Sequence, residues 1–414
     1  RVPMLQSWRA VLTRFRALLR SDAAGVRAGF YALLLSSGGD LVAGLTLGSI
    51  TGTLESLPGL LVLVPAAIGM RGNVFGALGS RLGTAVHTGT FRMSGRRDTL
   101  VGQNLAAALS MSLSVSLVLA FLAKAISVAF GLEHTISVVD FVVISVIGGF
   151  LSSLVVMAIT VVVAQLGVRR NWDLDNVSAP IVTAAGDMVT LPALFLATYL
   201  VGIAWLTSIV AVLCAAVAIV ALIASIRSRY PILRRIARES LPVLVLAGTI
   251  DVIAGLTIEK RFESFLVYPA LLVLVPPFLE DSGALGSILS ARVATKLHLG
   301  TLVPGRGSLR SIGEDFLLVY LYAVPVFLLL GVSADIAALV AGLKSPGSLE
   351  MIAVSMIAGV IATTFAVLVG FYGAVAAHRL GLDPDNHGIP IVTSSLDLLG
   401  AVALILVIVA LGLT

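Results

Sequence analysis

Four aspartates, Asp40, Asp187, Asp251 and Asp397, stand inside long apolar runs. A charge at the centre of a bilayer costs about 2.5 kcal/mol or more on insertion scales, so each marks a candidate functional site. Two of them close the same pattern, P-I-V-T-x-x-x-D. It holds Pro180, Thr183 and Asp187 in one stretch and Pro390, Thr393 and Asp397 in another. Thr and Asp four residues apart share one helix face. Two such faces brought together would surround one site with two carboxylates and two hydroxyls, all hard oxygen donors. That array suits Mg2+, which keeps several waters and takes one or two carboxylates. It does not suit Zn2+ or Cu+, which favour imidazole or thiolate. Asp40 and Asp251 are candidates for an ion or a coupling ion such as Na+; helix–helix hydrogen bonding is the competing role. Glu280 and Asp281 are either further cation ligands or partners of Arg71, because an arginine at that depth needs an acid.

The elements that must position these residues are membrane helices. The chain has 414 residues, 58% of them hydrophobic and 12% charged, with a mean hydropathy of +1.07. Apolar runs of about 20 residues span a bilayer as helices, and lipid leaves no partner for free backbone groups. The alternation of a membrane barrel is absent. Eleven spans are expected, near 28–52, 57–82, 100–131, 139–167, 178–203, 205–226, 241–258, 265–291, 314–342, 349–378 and 389–412. With the N-terminus cytoplasmic, 19 arginines fall in inside segments, against Lys260, Arg261 and Lys344 outside. The basic excess therefore puts the N-terminus in the cytoplasm and the C-terminus outside. It reads as membrane topology, not as nucleic-acid binding. The stretch 7–20 is either an amphipathic helix on the inner leaflet or a solvated lead-in, and no cleavable signal is evident in the first 27 residues.

The chain repeats itself. Residues 40–46 read DLVAGLT and 251–257 read DVIAGLT; 60–65 and 271–276 both read LLVLVP; 173–183 read DLDNVSAPIVT and 383–393 read DPDNHGIPIVT. The offsets are 211, 211 and 210, which implies two five-span repeats. A single extra span between them restores a common orientation, so the repeats are expected to be parallel, related by an axis along the membrane normal. The expected organisation is a basic segment 1–27, a first repeat 28–203, a linking span and basic loop 204–240, and a second repeat 241–414. Such a chain is a pseudo-dimer in one polypeptide, with the axis as the natural place for a pore.

The run LVPAAIGMRGN at 62–73, with SRLGTAVHTG at 80–89, resembles the membrane domain of the MgtE family. The resemblance is nearest to the tandem-repeat branch that includes the eukaryotic solute-carrier magnesium transporters, and it covers about 28–412. It implies that Asp187 and Asp397 are the pore-lining, Mg2+-binding acids, and that Pro65 and Pro276 lie where the second span breaks beside the path. The second half departs from the pattern: Gly69, Met70, Arg71, Gly72 and Asn73 align with Glu280, Asp281, Ser282, Gly283 and Ala284. The halves are therefore not equivalent around the pore. Bacterial members of the family carry large cytoplasmic regulatory domains, and sensing by such a domain is not expected from this sequence.

Other residues have plainer readings. Asp173, Asp175, Asp383 and Asp385 suit a cation-attracting vestibule or N-capping of the fifth span, with Asn176 and Asn386 as caps. Gly72, Gly76, Gly79 and Gly83 read as close helix packing. His87, His134, His298, His378 and His387 show no metal-site spacing, and Cys214 reads as inert packing. No G-x-S-x-G or H-E-x-x-H stands in the chain, so a membrane enzyme is disfavoured. The expectation is an all-α membrane protein moving Mg2+ between two pseudo-symmetric halves. The alternatives are a Na+-coupled exchanger and, behind it, a neutral-solute transporter.

Overall fold

The structure is a computed structural model. It describes residues 13, 15–17, 19–20, 23–92, 94–96, 98–132, 134–170, 174–302, 312–382 and 387–413, with backbone alone at 169–170, 174–180 and 204. Among the described residues there is helix and no strand. Eleven helices among these residues are long and apolar enough to cross a membrane. In the first half these are α1 (Ala23–Ser49), α3 (Leu60–His87), α4 (Leu100–Ala129), α5 (Val138–Arg170) and α6 (Leu174–Thr198). The linking helix is α7 (Ala204–Ile226). The second half holds α8 (Pro231–Glu259), α10 (Ala270–His298), α11 (Gly313–Val340), α12 (Ser348–Arg379) and α13 (Ile389–Ala410). Two short helices, α2 (Thr51–Ser56) and α9 (Phe262–Val267), precede α3 and α10.

The packing of the two halves corresponds helix for helix. The second span of each half lies against the first span of the other, α3 on α8 and α10 on α1. Each fifth span packs on the first and second spans of its own half, α6 on α1 and α3, α13 on α8 and α10. The centre is formed by α3 and α10, whose apolar windows are 72% and 78% buried, against 17% for α7. The linking helix lies outside on α4, α5 and α8. Ser110 of α4 donates to Ala221 O at 2.9 Å and Ser225 of α7 donates to Ser110 at 2.7 Å. Hydroxyl bonds of this kind hold helices where lipid supplies no hydrophobic drive.

The exchange of helices between halves depends on the repeated glycines. A Cβ on Gly44 would collide with the backbone oxygen of Val273, and one on Gly255 would lie 2.5 Å from Val62 O and 2.7 Å from Leu61 O. A proline has no N–H to bond the carbonyl four residues back. Pro65 thus frees Leu61 O, and Pro277 frees Val273 O, so a bare Cα can approach. Glu259, at the end of α8, accepts from Gly59 N at 2.7 Å and Leu61 N at 3.2 Å. A carboxylate there caps the N-terminus of α3 and complements its dipole.

Three expectations need correction. The helix does not break at Pro65 or Pro276, which lie inside α3 and α10. The break comes earlier, at residues 57–59 and 268–269, where Gly59 has the left-handed φ of 93°. Each proline gives up one intrahelical bond and the helix continues through it, the carbonyl freed by Pro65 serving the close approach of the neighbouring helix. The basic segment expected as a loop up to 240 is helix from Pro231, which takes the favoured N-terminal position. Close packing is absent at Gly76, where a Cβ would meet nothing within 4 Å. The amphipathic stretch at 7–20 lies largely outside the described residues.

Candidate cation site

The first and fifth spans of each half place one aspartate each at a shared interface. Asp40 on α1 faces Asp187 on α6, and Asp251 on α8 faces Asp397 on α13. All four are buried. Both oxygens of Asp40, Asp187 and Asp251 lack any hydrogen-bond partner. Buried carboxylates without donors are costly, and two facing each other repel. A cation between them removes both penalties.

Helix geometry decides which neighbours join these pairs. A Cβ on Gly69 of α3 would lie 2.9 Å from Asp251 Oδ2 and 3.7 Å from Asp397 Oδ2. The missing side chain is what leaves the second-half pair room. The position corresponding to Gly69 is Glu280 on α10, and its carboxylate is within electrostatic range of all four aspartates. Glu280 and Asp397 line a narrow crevice between α3 and α10, walled by Val64, Pro65, Ile68 and Pro276. Asp281, a further 100° around the helix, turns aside: it accepts from Ser37 Oγ of α1 at 2.6 and 2.9 Å.

Arg71 does not pair with Glu280 or Asp281. Its Nε donates to Ser152 of α5 at 2.7 Å, and among the described residues no carboxylate lies within ion-pair distance. The cause is angular. Positions 69 and 71 are about 200° apart on a helix, so if Gly69 faces the acids, Arg71 faces α5. Its Cβ stands 3.5 Å from where a Cβ on Gly186 would be.

The threonines do not stand free beside their aspartates. Thr183 and Thr393 set their methyl groups toward Gly72 and Gly283 of the second spans, at 4.0 and 3.6 Å from an added Cβ. Thr393 Oγ1 donates to Pro390 O at 3.0 Å and Ile389 O at 3.2 Å, which leaves its lone pairs as acceptors for a hydrated ion. Ser394 was not among the sequence candidates. It is buried and brings its hydroxyl toward Asp251, whereas the first half has Ala184 at that place. Its only sequence signal was the difference between the halves. Among the described residues no three His, Cys, Asp or Glu side chains converge on one bare metal position. Paired carboxylates beside a crevice suit a cation that retains water.

Asp173, Asp383, Asp385 and Asn386 lie outside the described residues, as do the side chains of Asp175 and Asn176. His298 and His378 come together from α10 and α12, with ring centroids 5.3 Å apart. Sequence spacing could not show that, since the two belong to different helices.

These features define a polytopic membrane protein whose helices enclose unneutralised acids, the class that carries cations. The sequence profile of the MgtE family, described as a divalent cation transporter, matches residues 64–197 and 275–407, more than half of the chain. The chain belongs to the MgtE family. Solute carrier family 41 member 3 of Mus musculus is 28% identical over 369 residues, covering 82% of this chain and 73% of the relative. Its counterpart from Rattus norvegicus is 27% identical over 398 residues, covering 89% and 83%. Solute carrier family 41 member 2 of Homo sapiens is 27% identical over 382 residues, covering 84% and 63%. No solved structure matches the chain.

Proposed function

We propose that this chain moves Mg2+ along the pseudo-axis between α3 and α10, with the two halves acting as a pseudo-dimer in one chain. Asp187 and Asp397 bind the partly hydrated ion. Asp40 and Asp251 complete the pairs, and Glu280 adds charge from the axis. Thr183 and Thr393 accept from the ion's waters, while Asp281 supports α1 through Ser37. The observation that carries this reading is the pairing of buried carboxylates that no donor neutralises. Family membership supports a divalent cation as cargo, and the oxygen-only donor set favours Mg2+ over thiophilic metals. The N-terminus is cytoplasmic and the C-terminus extracytoplasmic by the basic excess, in a cell-membrane location.

The test is Mg2+ flux into liposomes by wild type and by the double variant Asp187→Asn/Asp397→Asn, with circular dichroism to verify the fold. Flux should vanish in the folded variant; undiminished flux would refute the site. Repeating the wild-type assay with and without a Na+ gradient separates passive flow from exchange. Indifference to Na+ removes coupling.

A further inference from the structure

At the end of the bundle that carries the basic residues, the two halves differ in a way that cation passage does not use. In the second half, Arg292 Nε of α10 donates to Asp315 of α11 at 2.7 Å, and Lys296 reaches the same carboxylate at 2.5 Å. The offset of 211 carries Arg292 onto Arg81 and Asp315 onto Asn104. The same register pairs Lys124, which bonds Thr135 Oγ1 at 2.8 Å, with Asp335, which accepts from Ser345 at 2.6 Å. Each ties its helix to the loop that follows, so the correspondence holds along this span.

Asn104 cannot neutralise an arginine. Its amide donates to Leu100 O at 3.0 Å, and its buried Oδ1 has no partner. Among the described residues no carboxylate is within ion-pair distance of Arg81. The acid that acts on it, Glu239, is held by Arg235 at 2.9 Å. Arg81 instead lines a narrow crevice between α3, α4, α8 and α13.

We infer that this crevice seats an anionic phospholipid, with Arg81 holding its phosphate in place of the acid that Arg292 finds within the protein. A guanidinium binds a phosphate through a fork of two N–H donors. Asn73 and Ser240 are the other polar groups of the lining. The remaining wall is apolar, with Val74, Ala77, Ala108, Met111, Ile236 and Leu244. The crevice takes the phosphate of the headgroup, and the acyl chains of such a lipid stay in the bilayer. The exposed Arg234, Arg235 and Arg238 on the first turns of α8 are of the kind that concentrates anionic lipid at a membrane surface.

The test follows the thermal midpoint of the purified protein in detergent as phosphatidylglycerol, phosphatidylcholine or inorganic phosphate is added. Wild type, Arg81→Gln and Asn104→Asp are compared. Asn104→Asp retains Arg81 and gives it the internal acid found in the other half, so it separates lipid binding from folding. Phosphatidylglycerol should raise the wild-type midpoint saturably, and its half-saturating concentration should rise about tenfold or more in both variants. If Arg81→Gln does not fold, Asn104→Asp alone decides. An equal response to phosphatidylcholine or inorganic phosphate, no response in wild type, or unchanged half-saturation in Asn104→Asp would overturn the inference.

Discussion

Gly69→Ala tests whether the Asp251 and Asp397 carboxylates form a working cation seat. The new methyl would stand 2.9 Å from Asp251 Oδ2 and 3.7 Å from Asp397 Oδ2. The near contact is a side-chain end, so it is relieved when the Asp251 carboxylate retreats by about 0.5 Å to ordinary van der Waals distance. A divalent ion and a carboxylate about 4 Å apart attract by roughly 8 kcal/mol at an effective dielectric constant of about 20. Retreat by about 0.5 Å removes about 0.9 kcal/mol of that, or about fivefold in affinity. The substitution should not harm the helix, because alanine in a helix interior is favoured over glycine by roughly 0.5–1 kcal/mol. Affinity and stability therefore move in opposite directions. Calorimetric titration of the purified protein with Mg2+ reads the first, and thermal unfolding the second. Gly76→Ala is the control, since a Cβ there meets nothing within 4 Å. Equal or tighter Mg2+ binding in Gly69→Ala, beside a wild-type-like Gly76→Ala, would show that no cation is held at this pair.

The other predictions concern what holds the halves together. Gly255→Ala puts a Cβ 2.5 Å from Val62 O, a backbone atom that cannot swing aside, and should cost about 1–3 kcal/mol, read as a lowered thermal midpoint. A midpoint equal to that of Gly76→Ala would contradict the close contact of α8 with α3. Glu259→Gln keeps the shape but loses the charge at the α3 N-terminus, and should destabilise by about 0.3–1 kcal/mol; no change in chemical denaturation would remove the capping role. Arg71→Ala should impair folding or transport more than Arg92→Ala, because Arg71 is fully enclosed and bonds Ser152 while Arg92 is exposed. Equal tolerance of the two would count against a structural role for Arg71.

The features that sequence made legible are those that physics writes into single segments. Eleven spans follow from run length alone, and the repeat follows from matched strings at a fixed offset. The four span aspartates were visible because charge in an apolar run is conspicuous. Their partners were not visible. Asp187 and Asp397 were expected to face each other across the axis; Asp187 does lie within electrostatic range of Asp397, and each also lies against the first-span aspartate of its own half, Asp40 or Asp251. A helix sequence shows which residues share a face but not which neighbour that face meets. Here the neighbour is set by Gly44 against Val273 O and Gly255 against Val62 O, contacts that need the packed bundle to be seen. The same limit explains Arg71, whose need for a partner was legible and whose direction was not.

The departures from symmetry carry the last step. Glu280 replaces Gly69 and Ser282 replaces Arg71, so an acid enters one half of the centre at the turn where the other half keeps an arginine. The extra acid reaches toward the axis, and the arginine turns outward to Ser152. A strictly two-fold chain would offer two equal carboxylate pairs on either side of its axis. With the Glu280 carboxylate on one side and a bare Cα at Gly69, pressed close to Asp251, on the other, the pairs differ in charge and in room. A cation crossing between α3 and α10 therefore meets unequal seats, and the variants Glu280→Gln and Gly69→Ala should alter Mg2+ affinity by different amounts. Equal effects of the two, measured by the same calorimetric titration, would mean that the substitutions at these positions leave the two-fold equivalence of the site intact.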